Sequence, residues 1–142
     1  MELYIGGFGE KKLDFVKSQL KKNQNDRNLS VIEIADKNNF SELDFHCQRQ
    51  NKILIVDGLH LIIKDFLEKG LNQDEILKKI ISLEGFFSDI IFICDEIGNG
   101  IVPMEKADRL WREVTGHILC LLAEKSKKVC RIVCGLGQVI KE

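Results

Sequence analysis

Two stretches of this chain, Ile53-Leu54-Ile55-Val56 and Ile90-Ile91-Phe92-Ile93-Cys94, carry no charged or amide residue at any position. A strand with one face in water alternates apolar and polar residues, so a continuous apolar, β-branched run marks a strand covered on both faces. Both runs stop at acids, the first at Asp57-Gly58 and the second at Asp95-Glu96. Covering two faces takes helices on both sides of the sheet, and the intervening segments supply them. Leu13, Val16 and Leu20 fall on one face of a helical pattern whose other face carries lysines. Leu59 to Lys69 reads as a helix stopped by Gly70, and Asn72 caps the next, with Ile76, Leu77, Ile80 and Ile81 inward. Met104 to Lys125 is the longest pattern, with Ala107, Leu110, Trp111, Val114, Ile118, Leu121 and Leu122 at three- and four-residue spacing. Lys127 and Lys128 suit its C-terminal end.

Leu3-Tyr4-Ile5, Val31-Ile32-Glu33-Ile34 and Val129 to Cys134 are further strand-like runs. Asn23 to Asn28 reads as a polar loop, and Asn39 or Ser41 as the cap of a short helix running toward Gln50. Gly135-Leu136-Gly137 turns into Gln138-Val139-Ile140, a short antiparallel edge. The resulting order, β, α, β, α, β, α, α, β, α, β, β, predicts an α/β fold. Its sheet is mostly parallel with helices on both faces, within one domain over residues 1–142.

Charge and cysteine usage narrow the function classes. A formal net charge of -1 gives no global basic field for nucleic acid. Five cysteines, an odd number, include Cys94, Cys130 and Cys134 in apolar runs, which reads as buried free thiols in a reducing cytoplasm. Cys130 and Cys134 have no nearby histidine with which to form a metal pair. The chain opens without a basic region followed by an apolar core, so no signal peptide is expected, and no apolar run reaches the roughly 20 residues that span a bilayer.

Three elements carry chemistry. The first is the turn Gly6-Gly7-Phe8-Gly9-Glu10-Lys11-Lys12-Leu13. A phosphate-binding loop reads G-x-x-x-x-G-K-[ST]: glycines let backbone N–H groups wrap a phosphate, the lysine neutralises it, and the hydroxyl holds Mg²⁺. Counted from Gly6, Lys12 takes the lysine position, Lys11 stands in place of the second glycine, and Leu13 in place of the hydroxyl. Glu10 adds a carboxylate to a loop meant for an anion. A glycine-rich turn without a ligand fits these residues as well as a phosphate site does. The second element is Asp57 at a strand end, where nucleotide-binding sheets place a carboxylate that assists Mg²⁺ and where turns also place acids. His60, one helical turn on, reads as a packed or hydrogen-bonded histidine. The third is Asp95-Glu96 with Gly98 and Gly100, either a ligand site or a tight turn into the long helix.

Asp95-Glu96-Ile97-Gly98-Asn99-Gly100-Ile101-Val102-Pro103 resembles the motif N-E-V-G-x-G-I-V-P of a known family. The helix Ala107-x-x-Leu110-Trp111-Arg112-Glu113-x-x-Gly116 resembles its A-R-x-F-R-D-x-x-G, and Val133-Cys134-Gly135-Leu136-Gly137 its V-S-G-x-G. That family is the bifunctional adenosylcobinamide kinase/adenosylcobinamide-phosphate guanylyltransferase of cobalamin biosynthesis. The resemblance is strong over Ile90 to Lys141, and weaker but collinear over Met1 to Gly7 and Lys52 to Asp57. It implies a P-loop NTPase-like fold, a GTP or ATP substrate assisted by Mg²⁺, a corrinoid co-substrate, and a homo-oligomer, the trimer of the family. Carried over residue by residue, it points to Gly6, Gly7, Gly9, Lys12, Glu96, Gly98 and Gly100 for the nucleotide and to Asp57 for the metal.

The departures are equally specific. The family phosphorylates the aminopropanol hydroxyl of adenosylcobinamide, then transfers GMP through a guanylylated histidine. That histidine belongs to the interval before the strand matching Val31 to Ile34; here the interval, Asn23 to Asn28, has none, and His46, His60 and His117 do not match. A covalent intermediate needs a nucleophile, and phosphoryl transfer depends on the loop and metal that position the phosphate. The sequence therefore predicts a divergent member with impaired catalysis and no assignable catalytic residue. Guanylyltransferase activity should be absent or very weak, and kinase chemistry disfavoured. The alternative is an inactive paralogue that binds a nucleotide or corrinoid, or an oligomeric interaction protein.

Overall fold

The strand runs pair into one six-stranded sheet. The computed structural model describes residues 1–23, 30–35, 40 and 49–142. Its elements are β1 (Glu2–Gly6), α1 (Lys12–Asn23), β2 (Ser30–Ile34), β3 (Arg49–Asp57), α2 (Leu59–Glu68), α3 (Gln73–Ser82), a 3₁₀ turn (Leu83–Gly85), β4 (Phe87–Asp95), α4 (Lys106–Lys125), β5 (Lys128–Val133) and β6 (Leu136–Lys141). The sheet order is β2-β3-β4-β1-β5-β6, parallel throughout except for the antiparallel β5–β6 pair. The α/β class and the antiparallel C-terminal edge expected from the sequence are both present. The loop expected over Asn23 to Asn28 falls, apart from Asn23 at the end of α1, outside the described residues. So does the helix expected toward Gln50, apart from helical Phe40 and its last two residues, which belong to β3.

Strand side chains alternate between two cores. On one face Leu3, Leu54, Val56, Ile90, Phe92 and Cys94 pack against α2, α3 and α4. On the other, Tyr4, Ile53, Ile55, Ile91, Ile93, Cys130 and Ile132 meet Val16 of α1, with Leu13, Phe15 and Leu20 at its margin. This two-faced burial is what the unbroken apolar runs require. Helix ends follow their local chemistry. Asn72 and Glu75 form a reciprocal capping box at α3. Gly70 takes φ +85° after α2, and the Leu71 N–H reaches Phe66 O at 3.0 Å, closing that helix. Lys141 Nζ donates to Ala123 O and Glu124 O, satisfying the C-terminal carbonyls of α4.

Three inward expectations fail. Ala107 and Leu110 are exposed, because the first turn of α4 extends past the core it covers further along. Cys134 is exposed in the β5–β6 turn, while Cys94 and Cys130 are buried as expected. Ile81 is only partly covered and joins neither core, while Leu77 packs part-buried against the core and Ile76 and Ile80 are the buried residues of α3. Among the described residues no helix is long and apolar enough to cross a membrane.

Candidate functional site

Parallel register brings the chemistry together at the C-terminal end of the sheet. β1 lies between β4 and β5, with Gly6 opposite both Asp95 and Ile132. β3 ends beside β4, with Asp57 opposite Ile93. The chain leaves β1 for the far edge of the sheet and returns to its other side at β5, so the crevice outside these strand ends is a switch point, the usual ligand position in open α/β sheets. Gly6 is needed for this close approach: a Cβ there would lie 2.5 Å from Ile132 O.

The turn after β1 keeps a glycine-like backbone without the glycine. Gly9 takes φ +77°, and Lys11, at the second-glycine position, takes φ +54°. A lysine side chain resists that region, at about 1–2 kcal/mol, so the loop holds its shape against a local penalty. Glu10 does not enter the cleft. Its carboxylate accepts the backbone N–H of Cys134 in the β5–β6 turn. Lys12 opens α1 and turns back toward the sheet, only 7% exposed. Its Nζ donates to Gly7 O at 2.7 Å and pairs with Asp95 Oδ1 at 2.6 Å.

Asp95 is held from its other side by His60. The Asp95 N–H donates to His60 Nδ1 at 3.3 Å, and Asp95 Oδ2 lies 3.7 Å from His60 Nε2. Both ring nitrogens of His60 thus face Asp95, leaving no free lone pair for nucleophilic attack. The ring stacks on Trp111, whose Nε1–H donates to His60 O at 2.7 Å. Burial, first, holds the imidazole pKa below its ordinary value; the Asp95 carboxylate opposes this and the Lys12 ammonium reinforces it. Burial likewise raises the Asp57 carboxyl, with Lys12 opposing and Asp95 adding to the rise. The packed, hydrogen-bonded histidine expected from the sequence is what the fold contains.

Glu96, Gly98 and Gly100 stand apart from this cluster. The Glu96 carboxylate grips Arg131 in a fork, at 2.8 Å to Nε and 2.9 Å to a terminal nitrogen, and accepts Asn99 Nδ2 at 3.1 Å. Gly98 and Gly100 lie in the loop from β4 to α4. Arg112 reaches back to the carbonyls of Gly98 and Ile101, and Arg109 to those of Pro103 and Met104. Two arginines of the helix therefore fix the loop that precedes it.

A cleft of about 500 Å³ opens beside the phosphate-loop turn, lined by Phe8, Gly9, Lys11, Lys12, Leu13, Asp14, Ala35, Asp57, Gly58, His60, Leu61 and Asp95. Of the sequence-expected site residues, Gly9, Lys12 and Asp57 line it; Gly6 and Gly7 shape the turn behind it. The lining carries, among the described residues, two lysines, Lys11 and Lys12, and three aspartates, Asp14, Asp57 and Asp95. Among the described residues no group of three or more His, Cys, Asp or Glu is placed to hold a metal ion. With Leu13 at the hydroxyl position, Asp57 is the one expected metal ligand left, and a single carboxylate does not fit a Mg²⁺ cage of protein groups. Sequence reasoning missed the pairing of Lys12 with Asp95 and the Trp111 and Arg131 contacts. The available signal was the acid at the end of β4, where the resembling motif has asparagine.

The family model described as "Cobinamide kinase / cobinamide phosphate guanyltransferase" matches residues 11–140. The chain belongs to this family. Among curated proteins, the chain is similar to the "Bifunctional adenosylcobalamin biosynthesis protein CobU" of Escherichia coli (strain K12). It is 29% identical over 75 residues, which cover 53% of this chain and 41% of that protein. The match thus spans less than half the length of that relative. Among solved structures, a Pyrococcus horikoshii OT3 protein, Project ID PH0250, aligns at a TM-score of 0.46 and 13% identity, covering 100% of this chain and 86% of that one. At that score the likeness carries no structural argument.

Proposed function

We propose that this chain is a cobinamide kinase/guanylyltransferase family member of cobalamin biosynthesis that takes a GTP or ATP nucleotide in the Lys12 cleft with impaired catalysis. The observation that carries this reading is the state of the phosphate-loop turn. Its left-handed backbone at Gly9 and Lys11 persists, while its lysine is buried against Asp95 and its hydroxyl is a leucine. The kept loop shape supports phosphate binding, while the occupied cation and the missing hydroxyl argue against transfer. Gly6, Gly7, Gly9 and Lys12 are the proposed phosphate-facing set, with Asp57 the carboxylate that would assist a cation; Mg²⁺ would arrive on the nucleotide's own phosphates. Glu96, Gly98 and Gly100 act indirectly, by fixing the β4–α4 loop. His60, with both nitrogens turned to Asp95, is not the guanylyl carrier.

Exposed Ile101, Val102, Met104 and Leu110 are held in or beside the arginine-fixed loop, and such apolar surface supports a homo-oligomer, the trimer of the family. Light scattering on the wild type and on Ile101→Asp tests it; a monomeric wild type rules it out. A reducing cytoplasmic location accords with free Cys94, Cys120, Cys130 and Cys134. The nucleotide reading is tested by calorimetric titration of GTP, ATP and adenosylcobinamide, with and without Mg²⁺. Heat with a nucleotide is expected. No heat with any ligand would leave the interaction-protein alternative standing.

A further inference from the structure

We propose that the Asp95 carboxylate is a built-in anion for the phosphate-loop turn: it occupies Lys12, so that a phosphoanion binds only by displacing it. The proposal rests on the nucleotide reading of the cleft and names what regulates that site.

Among the described residues Lys12 is the one cation buried at the strand ends, 7% exposed, and two protein oxygens stand at hydrogen-bonding distance from its ammonium group, Gly7 O at 2.7 Å and Asp95 Oδ1 at 2.6 Å. An ammonium group has three protons, so at most one is left for a ligand. Asp95 is not a mobile surface acid that swings aside freely. Its backbone sits at the end of β4 in register with Gly6, and its N–H is held by His60 Nδ1. Its second carboxylate oxygen faces His60 Nε2, and that ring is stacked on Trp111. The carboxylate is thus oriented from behind toward the nitrogen that the loop would otherwise aim at a phosphate.

The surroundings reinforce this. Asp57 and Asp14 line the same cleft, and among the described residues Lys11 is the only other cation in the lining. Among the described residues, an entering polyphosphate would meet three carboxylates and two lysines, one lysine already paired with Asp95. Like charges in a partly buried site repel strongly, and the loop's backbone N–H groups would have to bind against that field. Neutralising Asp95 without changing its shape should therefore turn a self-satisfied loop into an anion receptor.

The test uses inorganic tripolyphosphate, which carries the charge without base or ribose. Titration calorimetry is run on the wild type, Asp95→Asn and the double variant Lys12→Met/Asp95→Asn. The proposal expects Asp95→Asn to bind tripolyphosphate at least tenfold more tightly than the wild type, and the double variant to lose that gain. A gain below threefold, or one that persists without Lys12, overturns it. Should Asp95→Asn fail to fold, the wild type still decides. In ¹⁵N spectra of the lysine ammonium groups, Lys12 should give a slowly exchanging signal that micromolar tripolyphosphate does not shift. A rapidly exchanging signal, or one that shifts, overturns the proposal. Parallel titrations with GTP separate the two readings. Tight tripolyphosphate binding by Asp95→Asn with no nucleotide binding by either form sinks the nucleotide reading alone. Tight GTP binding by the wild type, unimproved in Asp95→Asn, sinks the built-in anion alone.

Discussion

Lys11 holds φ +54° in a turn where glycine would rest without strain. The cost of that conformation for a residue with a Cβ exceeds the extra chain entropy that glycine loses on folding, so Lys11→Gly should stabilise the fold by about 1 kcal/mol. Most substitutions to glycine do the opposite. Urea unfolding checks this, and a lower midpoint would mean that the lysine side chain makes compensating contacts. His60 offers a second reading at this scale. Its folded-state pKa is lowered, chiefly by burial, so below its ordinary value near 6.5 the unfolded chain binds more protons than the folded one. The stability linked to His60 is present above that pH and is lost as pH falls below it. His60→Gln keeps an acceptor for the Asp95 N–H and should flatten the decline of unfolding free energy between pH 6.5 and 5. An unchanged slope would show that another group is responsible. The lysine at the second-glycine position and the histidine at the helix start were both legible from sequence. Their partners were not, because Asp95 and Lys12 lie 83 positions apart and meet only through the pairing of β1 with β4.

Elements were read correctly where burial is two-sided and less well where it is not. Ile53 to Val56 and Ile90 to Cys94 could only be central strands, and they lie in β3 and β4. The first turn of α4 carries the same apolar spacing as the rest of the helix, yet Ala107 and Leu110 are exposed, because periodicity does not say where the covered surface ends. β6 is exposed at every position and is joined to the sheet by β5 alone. Close approach between elements is where single atoms decide. A Cβ at Gly6 meets the Ile132 carbonyl at 2.5 Å, and one at Gly137 meets the Phe15 ring at 2.3 Å. Backbone cannot yield as a ring can, so Gly6→Ala should cost about 3 kcal/mol and Gly137→Ala about 2. Adding Phe15→Leu should recover most of the Gly137→Ala loss while leaving Gly6→Ala unimproved. Thermal unfolding of the four variants settles the matter, and equal rescue of both glycines would contradict the geometry.

The molecule as a whole places its crevice where a doubly covered parallel sheet must, outside the strand ends beside the central β1. Fold class, and the strand ends where the candidate site lies, followed from the alternation of buried runs and helices. Sheet order and register did not, since pairing between distant strands leaves no local pattern in the chain. What the assembled fold adds is support for the proposal that catalysis is impaired. The phosphate-loop lysine is occupied, the hydroxyl position is apolar, and the histidine in the cleft has both nitrogens directed at one aspartate. The most direct test is incubation of the wild-type protein with adenosylcobinamide, GTP, ATP and Mg²⁺, with chromatographic separation of the corrinoids. The structure-based account predicts no phosphorylated or guanylylated corrinoid above the protein-free control. Product formed at a rate typical of kinases, about 1–100 s⁻¹, would contradict it.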